Sequence, residues 1–377
     1  MRIAFYAPLK PPDHPVPSGD RRMARLLIAA LRLGGHRVDL ASRFRAYDGS
    51  GDTARQRRLA ARGGRLAERL IRRYRATPPE GRPQAWFTYH LYHKAPDWLG
   101  PAVSAALGIP YVVAEASHAP KRQNGPWAVG YAAAAAAIGA ADAVVGFNPV
   151  DAVCLGPLLK LGCRSTLLRP FLDGSVFAAA AAERDRHRSR LAAQWELPSG
   201  EPWLLTVAML RADKLESFRV LGGALAGLGD RPWRLLVAGA GGAEAEARAV
   251  LAPFGGRVTW LGQVSATDLP AIYAAADAMV WPAVREAYGM ALLEGQAAGL
   301  LVVAGDTGGV GQIVRHGVTG LLTPIGDAAA FAQAVADLLD DAVLRRRMGA
   351  AAARLAAAEN DMATAAHRLD AVLAALR

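Results

Sequence analysis

The chain has 377 residues, 52% of them hydrophobic, which is too long for one typical core and fits two domains of about 150–200 residues each. That much apolar material excludes a disordered chain, and no apolar run reaches the roughly 18–20 residues of a spanning helix; the run Ala132 to Val145 is mostly alanine and is interrupted by Asp142. The net charge of +11 is uneven: through Ala180 there are 25 Lys+Arg against 12 Asp+Glu (+13), and the remainder has 19 against 21 (−2), an asymmetry that speaks to partners and not to fold.

In chain order, Met1–Ala7 reads as a strand with no secretory signal expected in MRIAFYAPLK, and a Pro/Gly-rich loop follows from Pro8 to Gly19. Arg21–Leu33 has helical spacing (Met23, Leu27, Ala30, Leu31) and stops at Gly34-Gly35. Strands are expected at Arg37–Ala41, Ala85–Tyr89, Tyr111–Ala114 and Ala143–Phe147, with helices at Pro96–Leu107 and Trp127–Ala141. Cys154 and Cys163 form no metal-ligand or redox pattern and are expected as thiols in a reducing cytoplasm.

A boundary falls near residues 170–200, which hold Pro170, an alanine run, a charged patch and Pro198-Ser199-Gly200. The pattern then restarts with strand Trp203–Val207, helix Lys214–Leu228 and strand Arg234–Ala238. Strands Val258–Leu261, Ala278–Trp281 and Leu301–Ala304 follow, then helices Ala328–Leu339 and about Leu344–Leu376. Alternating strands and helices predict two doubly wound α/β domains. Such sheets bind ligands beyond the carboxyl ends of their strands, so two facing each other would place a cleft between them.

The strongest chemical signal lies between Arg257 and Pro324, where seven residues separate Glu286 from Glu294. Glu286 is expected in a loop after a strand, Gly289 permits close backbone approach, and Met290 opens a helix whose first N–H groups can hold phosphate or sugar oxygens. Glu294 would lie one turn into that helix, and carboxylates suit the vicinal hydroxyls of a sugar.

This segment resembles the donor-binding half of glycosyltransferase family 4, with its E-x7-E motif inside a GT-B fold. Leu261-Gly262-Gln263-Val264 is similar to the family's loop beside the nucleotide base. Tyr273–Val280, Gly308-Gly309 and Gly317–Gly320 resemble its neighbouring steps and turns. The resemblance implies two Rossmann-like domains facing across a cleft, and a retaining hexosyltransferase that uses a nucleotide-diphosphate sugar. It implies an acceptor-binding domain over 1–175, a linker over 176–199, a donor-binding domain over 200–345, and helices over 346–377 that pack back toward the first domain.

Carried over by residue, Glu286 would contact donor-sugar hydroxyls and Glu294 the ribose. The backbone of Tyr288, Gly289, Met290 and Ala291 would hold sugar and diphosphate, with Gly262 and Val264 beside the base. Lys214 matches the lysine that neutralises the diphosphate as charge builds on the leaving phosphate. Met209 stands where the family has arginine, so Arg211 is expected to supply the second charge; Gln312 stands where glutamate is frequent. In the first half, Gly19 of Ser18-Gly19-Asp20 resembles a glycine that approaches the diphosphate, with Asp20 in place of a second glycine. His118 matches a histidine near the reacting sugar; His90 and His93 are weaker candidates, and Asp173 is more structural.

No Asp-x-Asp occurs, so no cofactor or metal is expected, Lys214 and helix amides taking the metal's place. Arg55–Arg75 holds nine arginines and one acid, Glu68, with Leu59, Leu66, Leu70 and Tyr74 forming a stripe beside Arg58, Arg62, Arg65, Arg69 and Arg72. It reads either as a solvated surface helix or as a patch for anionic lipid head groups or a phosphorylated acceptor. The second reading favours a saccharide or lipid-linked acceptor and a cytoplasmic protein peripheral to the inner face of the membrane. Nucleic acid is not expected, because no aromatics interleave. The competing functions are a nucleotide-sugar epimerase of the same fold, an inactive nucleotide-sugar binder, and a dinucleotide oxidoreductase suggested by Gly239-Ala240-Gly241-Gly242.

Overall fold

The hydrophobic runs become two six-stranded parallel sheets. The computed structural model describes residues 1–16 and 18–377; Pro17, within the expected Pro8–Gly19 loop, lies outside the described residues. The chain divides into one unit of Met1–Leu168 with Met362–Arg377, and a second of Arg169–Asp361.

The first sheet consists of β1 (Arg2–Tyr6), β2 (Arg37–Ser42), β3 (Ala85–Leu91), β4 (Tyr111–Ala116), β5 (Ala143–Gly146) and β6 (Arg164–Leu167), in the order β2-β1-β3-β4-β5-β6. Its inner strands are apolar almost throughout because helices cover both faces of a parallel sheet. Phe5, Trp86, Phe87 and Val112 are fully buried, and Phe5 pairs with Phe87, which pairs with Val112. The edge strand β6, Arg-Ser-Thr-Leu, is largely exposed, and its polar composition hides it from a hydrophobicity reading.

The second sheet consists of β7 (Trp203–Val207), β8 (Arg234–Ala238), β9 (Val258–Gly262), β10 (Ala278–Trp281), β11 (Leu301–Gly305) and β12 (Gly320–Thr323), in the order β12-β11-β10-β7-β8-β9. Counted from its own first strand this is the order of a dinucleotide-type doubly wound sheet. The first sheet reverses direction between β1 and β3, and the second between β7 and β10. At such points the loops leaving neighbouring strands diverge and leave a crevice at the carboxyl edge.

Two expectations differ from the structure. The stretch 176–199, expected as a linker, folds with the second unit as helices Ser175–Ala182 and Arg184–Trp195. The second helix is pinned by Asp277, whose carboxylate accepts from Arg184 (2.6 Å), Arg188 (2.9 Å) and the Trp203 amide (2.7 Å). The expected helix Leu344–Leu376 is two helices, Ala342–Glu359 and Met362–Ala374. Only the latter belongs to the first unit, where His36 Nε2 meets its Asp370 at 3.2 Å. Asn360, 4% exposed, makes the break. Its side-chain amide donates to the Pro170 carbonyl (2.7 Å), and its own carbonyl accepts from the Leu172 amide (3.0 Å).

Asn360→Ala leaves the Pro170 carbonyl buried without its donor. The expected loss is about 1–3 kcal/mol of second-unit stability, read as a lower thermal midpoint with no change in secondary structure.

Candidate functional site

Unit two places its chemistry at the β7/β10 reversal. The chain leaves β7 through Ala208–Ala212, passes Lys214, and enters helix Leu215–Ala226. It leaves β10 through Pro282–Tyr288 and enters helix Met290–Ala297. Lys214 Nζ spans the gap, donating to Glu286 Oε2 at 2.7 Å and to the Arg285 carbonyl at 3.0 Å. The pair is largely shielded, with side chains 12% and 21% exposed. Trp281 Nε1 adds a longer contact to the same carboxylate oxygen (3.4 Å).

Gly289 turns the chain into the helix. At φ +77 it occupies the left-handed region, and a Cβ there would lie 2.8 Å from Leu292 Cδ1 and 3.3 Å from Glu286 Cγ. Leu292 and Leu293 donate to the Gly289 carbonyl (2.9 and 3.4 Å), the Met290 and Ala291 amides precede any helical acceptor, and the helix dipole adds positive potential. Glu294 sits on the same helix, 2% exposed, so the two glutamates differ: one about a fifth exposed beside a lysine, the other enclosed. Tyr273 donates to the Ala291 carbonyl (3.0 Å) and fixes the helix start. A cation, a carboxylate and free amides at one crevice suit a ligand that combines anionic oxygens with hydroxyls.

Several bracing residues have no mark in the motif. Ser217, 1% exposed, accepts the Val284 amide at 3.0 Å and ties the Glu286 loop to the Lys214 helix. From the other side, the Gly309 amide donates to the Ala287 carbonyl at 2.5 Å. Gly239 and Gly241 lie against the loop that leads to Lys214. A Cβ on either would collide with the carbonyl of Ala208 or Leu210. The two backbones are laced by Ala208 N–H to Ala238 (3.1 Å) and Leu210 N–H to Ala240 (3.1 Å). These glycines, weighed above as a dinucleotide signal, serve backbone packing.

The other expected residues fall as follows. Gly262 ends β9 at the same sheet edge, its carbonyl accepting from Gly239 N–H at 2.8 Å, and Val264 follows it. Arg211 is held by Asp213 (2.9 and 3.2 Å) and is 55% exposed; Met209 is 41% exposed. In the first unit Gly19 begins helix Gly19–Leu33, capped by Ser18, whose side chain accepts from Arg21 N–H at 3.2 Å. His118 Nε2 meets the Tyr131 hydroxyl at 2.8 Å.

His90, the weaker candidate in the sequence, bridges the β1/β3 reversal of its own sheet: its Nδ1 lies 2.9 Å from Asp20 Oδ1. Burial pulls this imidazole down, but Glu115, Asp20 and Asp151 outweigh it and hold it above the usual histidine value. His93, three residues on, is pushed down to about 4 by burial and by Arg122 and Lys94.

Residues 201–341 match a family described as Glycosyl transferases group 1. Among curated relatives, the D-inositol 3-phosphate glycosyltransferase of Pseudarthrobacter chlorophenolicus is 42% identical over 119 residues, 32% of this chain and 28% of that protein. The enzyme of that name from Nocardia farcinica is 39% identical over 120 residues, 32% and 27% of the two chains. The match thus spans little more than a quarter of those relatives. Among solved structures, sucrose-phosphate synthase from Thermosynechococcus elongatus superposes with a TM-score of 0.73 at 21% identity, covering 100% of this chain and 99% of that one. Anabaena HepE in complex with UDP gives 0.76 at 17%, covering 100% of both. These likenesses show the GT-B fold: two Rossmann-like domains.

The His90–Asp20 pair gives a pH signature. A raised imidazole adds stability that is complete below the unfolded value of about 6.5 and fades as pH rises through the folded value. The gap in thermal midpoint between the protein and His90→Asn is therefore expected to narrow from pH 6 to pH 9, as followed by calorimetry.

Proposed function

We propose, from the match of residues 201–341 to the group 1 glycosyl transferases, that the chain moves a hexose from a nucleotide-diphosphate sugar to a saccharide or lipid-linked acceptor, with retention at the anomeric carbon. The observation that carries this reading is the Lys214–Glu286 contact across the β7/β10 reversal. On donor binding, Lys214 moves from the carboxylate to the diphosphate, which releases Glu286 for the sugar hydroxyls. The amides at Met290–Ala291 take further phosphate or sugar oxygens, and Glu294 takes the ribose. Gly262 and Val264 flank the base.

Transfer breaks the bond from the anomeric carbon to the phosphate oxygen and forms one to the acceptor oxygen on the same face. The acceptor's proton passes to the departing phosphate. Lys214 acts where it matters most, on negative charge that grows as the bond breaks. No metal is required in this reading, since the cation is built into the chain. Met209 leaves the loop with one engaged lysine, while Arg211 reaches the ligand only by leaving Asp213. The names of the curated relatives favour a phosphorylated acceptor. Among the described residues no helix is long and apolar enough to cross a membrane, and we place the reaction in the cytoplasm, at the inner membrane face when the acceptor is lipid-linked.

Binding and slow hydrolysis across UDP-, GDP- and ADP-sugars, in the presence of a chelator, test the reading. One donor is expected to be hydrolysed, and Lys214→Ala and Glu294→Ala are each expected to lower the rate about 100-fold or more. Absence of nucleotide-sugar binding in the unaltered protein would overturn it. Glu286→Gln, which frees Lys214 while keeping the side chain's shape, is expected to bind the free nucleoside diphosphate more tightly and yet lose transfer. Calorimetric titration of both proteins decides this.

A further inference from the structure

The helix Thr53–Ala76 belongs to the first unit and carries nine arginines against one acid, Glu68. All nine arginines are exposed. At 3.6 residues per turn they fall within an arc of about 160°, and the buried residues Gln56, Gly63, Ala67, Leu70 and Tyr74 lie on the opposite side. Leu59 and Leu66, read from the sequence as part of an apolar stripe beside the arginines, pack against the first unit's core. The solvent face is thus cationic without an apolar seam.

Five of the arginines have local partners. Arg55 and Arg58 stand near Asp48 (3.6 Å) and Asp52 (4.0 Å). Arg62 and Arg73 lie over the rings of Phe44 and Tyr74, and Arg75 donates to the Ala106 carbonyl (3.0 Å). Among the described residues, Arg57, Arg65, Arg69 and Arg72 have no such partner, and they line the middle of the arc and one flank.

We propose that this face docks on an anionic lipid surface, by charge alone and without insertion. The occupant follows from complementarity. A 24-residue helix is a rod of about 36 Å, and arginines projecting to one side of a rod match a plane of phosphate head groups. A nucleic acid would be the rival polyanion, but no aromatic side chain stands on this face to stack a base. With the leucines committed to the core, nothing apolar remains to enter the hydrocarbon, so adsorption should be reversed by salt. The proposal stands apart from the transferase reading.

The test is co-sedimentation of the full chain with phosphatidylcholine vesicles, neutral or with about a third phosphatidylglycerol, at low and high salt. Binding is expected on the anionic vesicles alone and to be lost at high salt. The joint variant Arg57→Gln, Arg65→Gln, Arg69→Gln, Arg72→Gln should bind at least about 100-fold more weakly with an unchanged circular dichroism melt. A second variant, Arg190→Gln, Arg346→Gln, Arg347→Gln, Arg354→Gln, removes the same charge from exposed positions in the other unit and should bind as the unaltered protein does. Equal binding to neutral vesicles, equal loss in both variants, or capture by duplex RNA in preference to the anionic vesicles would each overturn the assignment.

Discussion

Two loops that leave neighbouring parallel strands toward opposite crossovers share no continuous backbone. At the β7/β10 reversal they are held together by side chains, chiefly by Lys214 reaching Glu286 and the Arg285 carbonyl. The contact is mostly shielded from water, which strengthens it relative to an exposed pair. Everything around it limits the freedom of the two loops. Ser217 ties one to the helix of the other, the glycines after β8 press on the first, and Gly309 holds the second from behind. The site is therefore preorganised around charges that face each other, with a ligand able to take the place of one. Such an arrangement favours ligands that bring their own negative charge for the lysine and hydroxyls for the carboxylate.

The same topology gives the first unit a comparable feature with different chemistry. There the reversal lies between β1 and β3, and the bridge is His90 to Asp20. Burial works against the charged imidazole, but Glu115, Asp20 and Asp151 outweigh it and hold His90 above the usual histidine value. His90 and Glu115 both sit at positive φ, 60 and 55, at the carboxyl ends of adjacent strands. Non-glycine residues hold such angles only where surrounding contacts fix them. In this unit those contacts include the His90–Asp20 bond itself.

How far the sequence reveals this depends on how local each cause is. Buried parallel strands announce themselves as apolar runs, so Ala278–Trp281 was expected with its observed bounds. The edge strand Arg164–Leu167 carries no such pattern because one side of it faces water. The break at Asn360 has no glycine or proline to mark it; it arises from a hydrogen bond to Pro170, 190 residues away. Glu286 and Glu294 stand out by their spacing and Lys214 by the family resemblance, and the structure brings Lys214 onto Glu286. The bracing glycines were visible as glycines, but their purpose depends on the carbonyls of a loop about 30 residues earlier. Arg211 was expected to supply the charge that the resembled family places at Met209, and its pairing with Asp213 is a two-residue event that the resemblance does not report.

The charge asymmetry resolves along the same lines. Of the excess of +13 through Ala180, the helix Thr53–Ala76 supplies nine arginines less one glutamate, or +8. Like charges three or four residues apart on a helix each cost roughly 0.2–0.5 kcal/mol. Arg55–Arg58, Arg58–Arg62, Arg62–Arg65, Arg65–Arg69, Arg69–Arg72, Arg69–Arg73 and Arg72–Arg75 all stand at that spacing, a burden of about 1.5–3.5 kcal/mol at low salt. Burial of Leu70 and Tyr74 and the Asp52 cap offset it. Uncharged polar residues would fold the same helix with less repulsion. Repulsion among the arginines thus works against the helix, while the contacts of Arg55, Arg58, Arg62, Arg73 and Arg75 within the unit return part of that cost.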